Sequence, residues 1–383
     1  MDLRESPAEA AFRATLRRWL ATHLPADWRD RGPHVASDDQ RFRREWTRLL
    51  HAAGYAGITW PAEYGGRGLS YAFEAIYREE TARAEAPEHA GIIGVGMVGP
   101  TIIAYGTPAQ KSQFLASILS GDIIFCQGFS ETEAGSDLAA VRTRAEPYGG
   151  EFVVDGRKVW SSYAHRADYC LLLVRSDPAS ARHRGLTCLL VDMRAAGVRT
   201  RPLRQLTGAA DFNEIVFDGV RVPRTAALGE VGDGWRVAMT TLAHERGVLG
   251  FTLAARLAAG FTRLLATARA SGAADDPVVR DRLAQLHVDI QGLRFTTYRV
   301  AASASPGPES SIAKLHWAGV NQRMTALALD LLGSDAVLSG GGWWDGYWQR
   351  EHLRSRGNSI EGGTSEVLRS LLAERVLGLP RSR

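Results

Sequence analysis

The stretch Phe125-Cys126-Gln127-Gly128-Phe129-Ser130-Glu131-Thr132-Glu133-Ala134-Gly135-Ser136-Asp137 divides two ways of reading the chain. An apolar approach ends in hydroxyls, carboxylates and small residues, so backbone N–H groups and side-chain oxygens can meet a polar ligand closely. Before it the apolar residues recur at helical spacing. After it they alternate as in strands.

Upstream, Phe12, Leu16, Trp19 and Leu20 form one helical stripe, and Phe42, Trp46, Leu49 and Leu50 another. Pro61 and the glycines between Trp60 and Leu69 predict a loop. Helix resumes over 73–84, near 91–105 and from Pro108, which suits a first turn, to Leu119. Downstream, Glu151 to Trp160 alternates around Asp155-Gly156. That pair predicts a short hairpin turn, with Lys158 and Trp160 on one face of the second strand. Residues 169–174, 186–191 and 215–217 are short runs of β-formers, and Asp218-Gly219 offers another turn. From Trp235 a long helical pattern reaches about Ser271. Further long helices span 277–302 and 310–332, broken by Pro306-Gly307-Pro308, and a last one runs from about Thr364 to Val376. The predicted class is α+β: an N-terminal helical domain (1–122), a small barrel-like β domain (123–231) and a C-terminal helical bundle (232–383).

At 383 residues, 45% hydrophobic and 23% charged, the chain has the makeup of a soluble globular protein. The net charge of +4 carries no basic stripe; only Lys111, Lys158 and Lys314 are lysines, and Arg is spread throughout, against nucleic-acid binding. Cys126, Cys170 and Cys188 stand among apolar neighbours without metal-ligand spacing, which predicts buried thiols in a reducing compartment. With no secretory pattern, and with the most apolar segment (90–105) glycine-rich and too short for a bilayer, the expected location is the cytoplasm, without membrane insertion.

Four separated motifs, Trp60-Pro61-Ala62-Glu63-Tyr64-Gly65-Gly66, the 125–137 stretch, Gly156-Arg157-Lys158-Val159-Trp160-Ser161-Ser162-Tyr163-Ala164 and Gly362-Gly363-Thr364-Ser365-Glu366, resemble the acyl-CoA dehydrogenase family in the same order. The resemblance covers essentially the whole chain. It implies FAD as cofactor, an acyl-CoA thioester as substrate and an electron-transfer flavoprotein as acceptor. By the motif match, Gln127, Phe129, Ser130, Trp160, Ser161 and Ser162 lie against the flavin, with Ser130 and Ser162 bonding the ring and Trp160 packing near it. Ser136 serves the pyrophosphate or the CoA arm. Gly333, Thr364 and Glu366 complete the cofactor site.

Several positions depart from the family pattern. The usual Thr-Glu-Pro is Ser130-Glu131-Thr132, which predicts a looser turn. One glycine of the adenine-side pair survives, Gly333. No counterpart of the family's cross-subunit Arg and Phe stands around Arg269 to Asp276, so either a homo-oligomer completes the site differently or a related subunit supplies those groups.

Dehydrogenation beside a thioester needs a base for the α-proton, a hydride acceptor and a clamp for the developing enolate. Where many relatives carry the base, this chain has Gly362. The resemblance to a branch with its glutamate on the long C-terminal helix points to Glu245 in His244-Glu245-Arg246, with Arg246 ordering the CoA region and the Gly362 N–H facing the carbonyl. Glu245 flanks the Leu242/Leu249 stripe, where desolvation raises proton affinity. Glu361 is the rival base. Two other readings stay open: a flavin oxidase or monooxygenase on the same fold, and a non-catalytic subunit of a heteromer.

Overall fold

The structure, a computed structural model, describes residues 4–25, 28, 40–180, 182–302, 307–338 and 346–381; the side chains of 40, 245–248 and 301 fall outside that description. Its helices are α1 (Pro7–His23), α2 (Gln40–Ala52), α3 (Tyr71–Arg83), α4 (Gly99–Tyr105), α5 (Pro108–Ser120), α6 (Gly234–Ala270), α7 (Pro277–Ala301), α8 (Ser311–Leu332), α9 (Tyr347–Ser355) and α10 (Ser365–Arg375). The strands lie between α5 and α6: β1 (Phe125–Gly128), β2 (Arg144–Tyr148), β3 (Glu151–Ser162), β4 (Tyr169–Arg175), β5 (Leu186–Asp192), β6 (Val198–Leu203), β7 (Phe212–Pro223) and β8 (Ala227–Leu228). The α+β class expected from the sequence is therefore present, with sheet framed by helices.

Helix starts follow local chemistry. Ser6 and Thr107 each form a capping box, with Glu9 and Gln110 respectively, and Pro7 and Pro108 sit in the first turns. The predicted loop after Trp60 exists because that indole is buried and donates to the Val95 carbonyl at 3.0 Å. Any Cβ at Gly66 or Gly99 would fall within 2.1 Å of Trp60 atoms, so only glycine fits there.

Contacts group the chain into two compact units, one formed by 34–68 with 87–245 and the other by 1–33 with 69–86 and 246–383. In the first, the strands form one sheet ordered β6-β7-β3-β2-β4-β5-β8, with β1 pairing parallel to β4. Trp60, Ile102, Phe114, Leu115, Phe125 and Leu171 share one core, and Phe152, Val154, Leu172, Val191, Ile215 and Phe217 another. Cys126, Cys170 and Cys188 are free and buried. In the second unit, Leu257, Leu264, Leu286, Leu293, Met324 and Trp348 pack together. Among the described residues α6 is the one helix long and apolar enough to cross a membrane, rather than the 90–105 segment; 53% of its most apolar window is buried in the protein, as in a core helix.

Both expected Asp-Gly turns are corrected. β3 and β7 run unbroken through Asp155-Gly156 and Asp218-Gly219, and the hairpin turn falls instead at Gly149-Gly150, between β2 and β3. The two Asp-Gly pairs face each other at a register shift, where Asp155 Oδ1 accepts from the Gly219 N–H at 2.8 Å. A glycine that relieves a bulge carries the same dipeptide signature as one that closes a turn.

Candidate active site

β1 and β3 carry most of the flavin-side residues expected from the sequence, and both belong to the sheet-bearing unit. The expectation that Lys158 and Trp160 share a face fails. Lys158 is 0% exposed and Trp160 is 61% exposed. The register of β3 on β7 shifts between Lys158 and Ser161, and Trp160 adopts φ 61°. An extra residue in a strand breaks the period-two alternation, so the indole is turned out and Ser161 is turned in. A left-handed non-glycine residue is strained, and such positions persist where the surroundings impose them. Tyr163, three residues on, is also left-handed at φ 56°.

On β1 and β3 two buried polar atoms have no hydrogen-bond partner among the described residues, the Nε2 of Gln127 on β1 and the Oγ of Ser161 at the bulge. Leaving such a group unmade costs about 1–3 kcal/mol, so each calls for an explanation. The Ser161 carbonyl does have a donor, Asn213 Nδ2 at 3.1 Å, and Asn213 Oδ1 meets His165 Nδ1 at 3.0 Å. Burial lowers the His165 pKa.

The loop after β1 is tight rather than loose. Glu131 and Ala134 exchange backbone hydrogen bonds at 3.1 and 3.0 Å across Thr132-Glu133, closing the turn without proline. The Glu131 carboxylate accepts from the Arg142 and Thr143 N–H groups at 2.7 and 2.8 Å and from Lys158 Nζ at 2.7 Å. Lys158 Nζ also donates to the Phe129 carbonyl at 3.0 Å. The sequence reading did not find this buried pair. A lysine in a chain with only three of them, on the inward phase of a strand, was the available signal. The Phe129 ring is buried in the core; Ser130 is half-buried and takes the Val159 N–H on its carbonyl; Ser162 is half-buried beside Phe212; Ser136 is exposed.

In the helical unit, Gly362 and Gly363 both have positive φ, 60° and 94°. Buried Lys314 donates to the Gly363 carbonyl at 2.6 Å. Thr364 caps α10, its Oγ1 accepting from the Val367 N–H at 3.2 Å, and Glu366 stands exposed in the first turn. The helix N-terminus and the Thr364 hydroxyl hold the Glu366 carboxyl below its ordinary pKa. Gly333 ends α8 at φ 54°, exposed. Glu361 has both oxygens engaged, by Arg354 at 3.1 and 2.6 Å and by Asn358 Nδ2 at 2.9 Å. Glu245 and Arg246 lie on α6, but their side chains fall outside the described residues. One turn earlier, Thr241 shares a hydrogen bond with Thr101 at 3.1 Å and Thr240 with Tyr105 at 2.9 Å, fixing that part of the helix on α4.

A buried unpartnered hydroxyl at Ser161 next to the outward Trp160 on a strained strand, with a second unpartnered polar group at Gln127 on β1, suits a flat, heteroatom-rich ligand, and so fits a flavin. The fold and this half-site define a flavin-binding oxidoreductase. Family models for the acyl-CoA dehydrogenase N-terminal, middle and C-terminal domains match residues 6–122, 126–220 and 232–377. The chain belongs to the acyl-CoA dehydrogenase family, a family of FAD enzymes. It is 42% identical to the acyl-CoA dehydrogenase IpdE1 of Mycobacterium tuberculosis (strain ATCC 25618 / H37Rv), over 97% of each chain. Among solved structures it resembles the Tcur3481-Tcur3483 steroid ACAD (TM-score 0.90, 34% identity, 100% of each chain). It also resembles the ChsE4-ChsE5 complex from Mycobacterium tuberculosis (TM-score 0.83, 32% identity, 100% of each chain).

Proposed function

We propose that this protein dehydrogenates a bulky, ring-bearing acyl-CoA thioester between its α- and β-carbons, giving the trans-2-enoyl-CoA, and passes the electrons to an external acceptor such as an electron-transfer flavoprotein. The observation that carries the reading is the unpartnered buried Ser161 Oγ next to the outward Trp160 on the bulged strand, with Gln127 Nε2 on β1 likewise unpartnered among the described residues. Gln127, Ser130, Ser161 and Ser162 hydrogen-bond the cofactor ring, Trp160 packs against it, and Ser136, Gly333, Thr364 and Glu366 serve its phosphate and adenine arms. FAD, when bound, supplies the hydride acceptor that no side chain can provide.

The chain's own residues handle the proton and the carbonyl. Glu245 takes the α-proton. The Gly362 N–H, on a backbone at φ 60°, faces the thioester oxygen as charge builds there, and Arg246 orders the CoA region. Engagement of Glu361 by Arg354 and Asn358 supports Glu245 over its rival, since a base needs a free oxygen. Similarity to a steroid ACAD supports a ring-bearing substrate, and the paired names of both structural relatives support a heteromer with a related subunit. The division at about residues 122 and 231 belongs to the same reading.

Glu245→Gln should keep bound FAD and lower turnover of a steroid-derived acyl-CoA by about a hundredfold or more. Glu361→Gln should retain turnover within a few fold of the parent. Full activity in the first variant and loss in the second would move the base to Glu361. Fast oxygen consumption by the parent during turnover would favour an oxidase.

A further inference from the structure

Lys158 and Glu131, which stand in two separate motifs of the chain, form an ion pair that the flavin contacts above leave without a role. The Lys158 side chain is fully buried and that of Glu131 is 11% exposed. Burial lowers the Lys158 pKa. Burial pushes the Glu131 carboxyl up, but Lys158 and the Thr143 and Arg142 donors bring it below its ordinary value, and the 2.7 Å contact between Lys158 Nζ and the carboxylate joins the two as an ion pair. A buried pair is a weak source of stability, because desolvating both ions offsets most of their attraction. Something besides stability should account for it.

Its connections suggest what. Through Nζ, Lys158 holds the Phe129 carbonyl and Glu131, so it grips the loop at two points, two and four residues beyond Gln127. Through its own strand it stands two residues before Trp160 and three before Ser161, at the register shift. Glu131 in turn fixes the Arg142 and Thr143 N–H groups ahead of β2. The loop carrying Gln127 and Ser130 and the bulge carrying Trp160 and Ser161 thus share one buried strut.

Resting on the flavin reading above, we propose that Lys158 and Glu131 are a positioning pair for the flavin half-site, setting the loop against the bulge so that Gln127 Nε2 and Ser161 Oγ converge on one ligand, and biasing the flavin by their charges. Neither residue touches the cofactor. Their effect is carried by the carbonyl of Phe129, the backbone of Ser130 and the bulged turn of β3.

The test uses the full chain, with any subunit that co-purifies, stripped of and reloaded with FAD. The neutral double variant Glu131→Gln/Lys158→Met removes both charges together, leaves no buried ion alone and should fold with a thermal midpoint near that of the parent. Its FAD Kd should rise about tenfold or more, in line with outer-layer residues that orient a site. The single variants, where they fold, should shift the flavin midpoint potential in opposite directions. Glu131→Gln leaves an unbalanced cation and raises it; Lys158→Met lowers it. A purely structural pair gives no such opposition of sign. A double variant that binds FAD as tightly as the parent, or single variants whose potentials shift the same way, would overturn the inference. Failure of the parent chain itself to take up FAD would overturn the flavin reading, and is distinguishable from both.

Discussion

Two polar regions of this molecule are built on opposite terms. In the helical unit, Glu80 is 1% exposed and accepts from Arg13 at 2.7 Å, Arg17 at 2.7 and 2.9 Å, and Arg83 at 2.8 and 3.0 Å. Beside it Glu79 accepts from Arg13, Arg294 and Tyr298. Every carboxylate oxygen there is in use. On the sheet, Gln127 Nε2 on β1 and Ser161 Oγ at the β3 bulge have no partner among the described residues, and Trp160 holds a strained backbone while exposing its ring. A satisfied cluster stabilises the fold that contains it; an unsatisfied one is retained where a ligand completes it.

Mutation should split the two regions by readout. Glu80→Gln has the largest expected effect, a loss of about 3 kcal/mol, because Arg13, Arg17 and Arg83 lose their shared anion, and FAD affinity should not change; thermal unfolding and flavin titration check both halves. The same group sets an acid limb. Burial pushes its carboxyl up, but the three guanidiniums bring it down to about 2. Since the folded pKa is depressed, its stabilisation is complete above the ordinary glutamate value of about 4.3 and is lost as pH falls from there towards 2. Unfolding midpoints measured over that range should flatten in Glu80→Gln.

At the bulge the pattern reverses. Ser161→Ala removes a hydroxyl that bonds to none of the described residues, so stability should stay within about 0.5 kcal/mol while FAD Kd rises about tenfold. Trp160→Gly should also leave the fold standing. Relief of the left-handed strain offsets the entropy of glycine to within about 1 kcal/mol, yet flavin binding should weaken measurably. A Ser161→Ala variant that loses several kcal/mol of stability yet binds FAD as tightly as the parent would erase the distinction between the two regions.

Much of this was legible in the sequence. Helical spacing gave α1, α2 and the long C-terminal helices, because each buries one continuous stripe, and Pro108 marked the start of α5. Four motifs in order carried the family. The sheet was harder. Asp155-Gly156 and Asp218-Gly219 advertise turns, and only pairing between distant strands makes them facing bulges. The same bulging placed Lys158 inside and Trp160 outside, against simple alternation. Likewise the turn at Thr132-Glu133 is held by a strut whose other end lies 27 residues along the chain. Long-range pairing decided each of these, and local propensity does not encode it.

The central claim is that the half-site around Trp160 holds a flavin that an acyl-CoA thioester reduces. The most direct measurement is the visible absorption spectrum of the purified protein, with any co-purifying subunit, before and after anaerobic addition of a panel of thioesters that includes steroid-derived acyl groups. The account predicts an oxidised-flavin band that bleaches with a ring-bearing thioester. A protein that shows no band even after added FAD, or a band that no thioester bleaches, would contradict it.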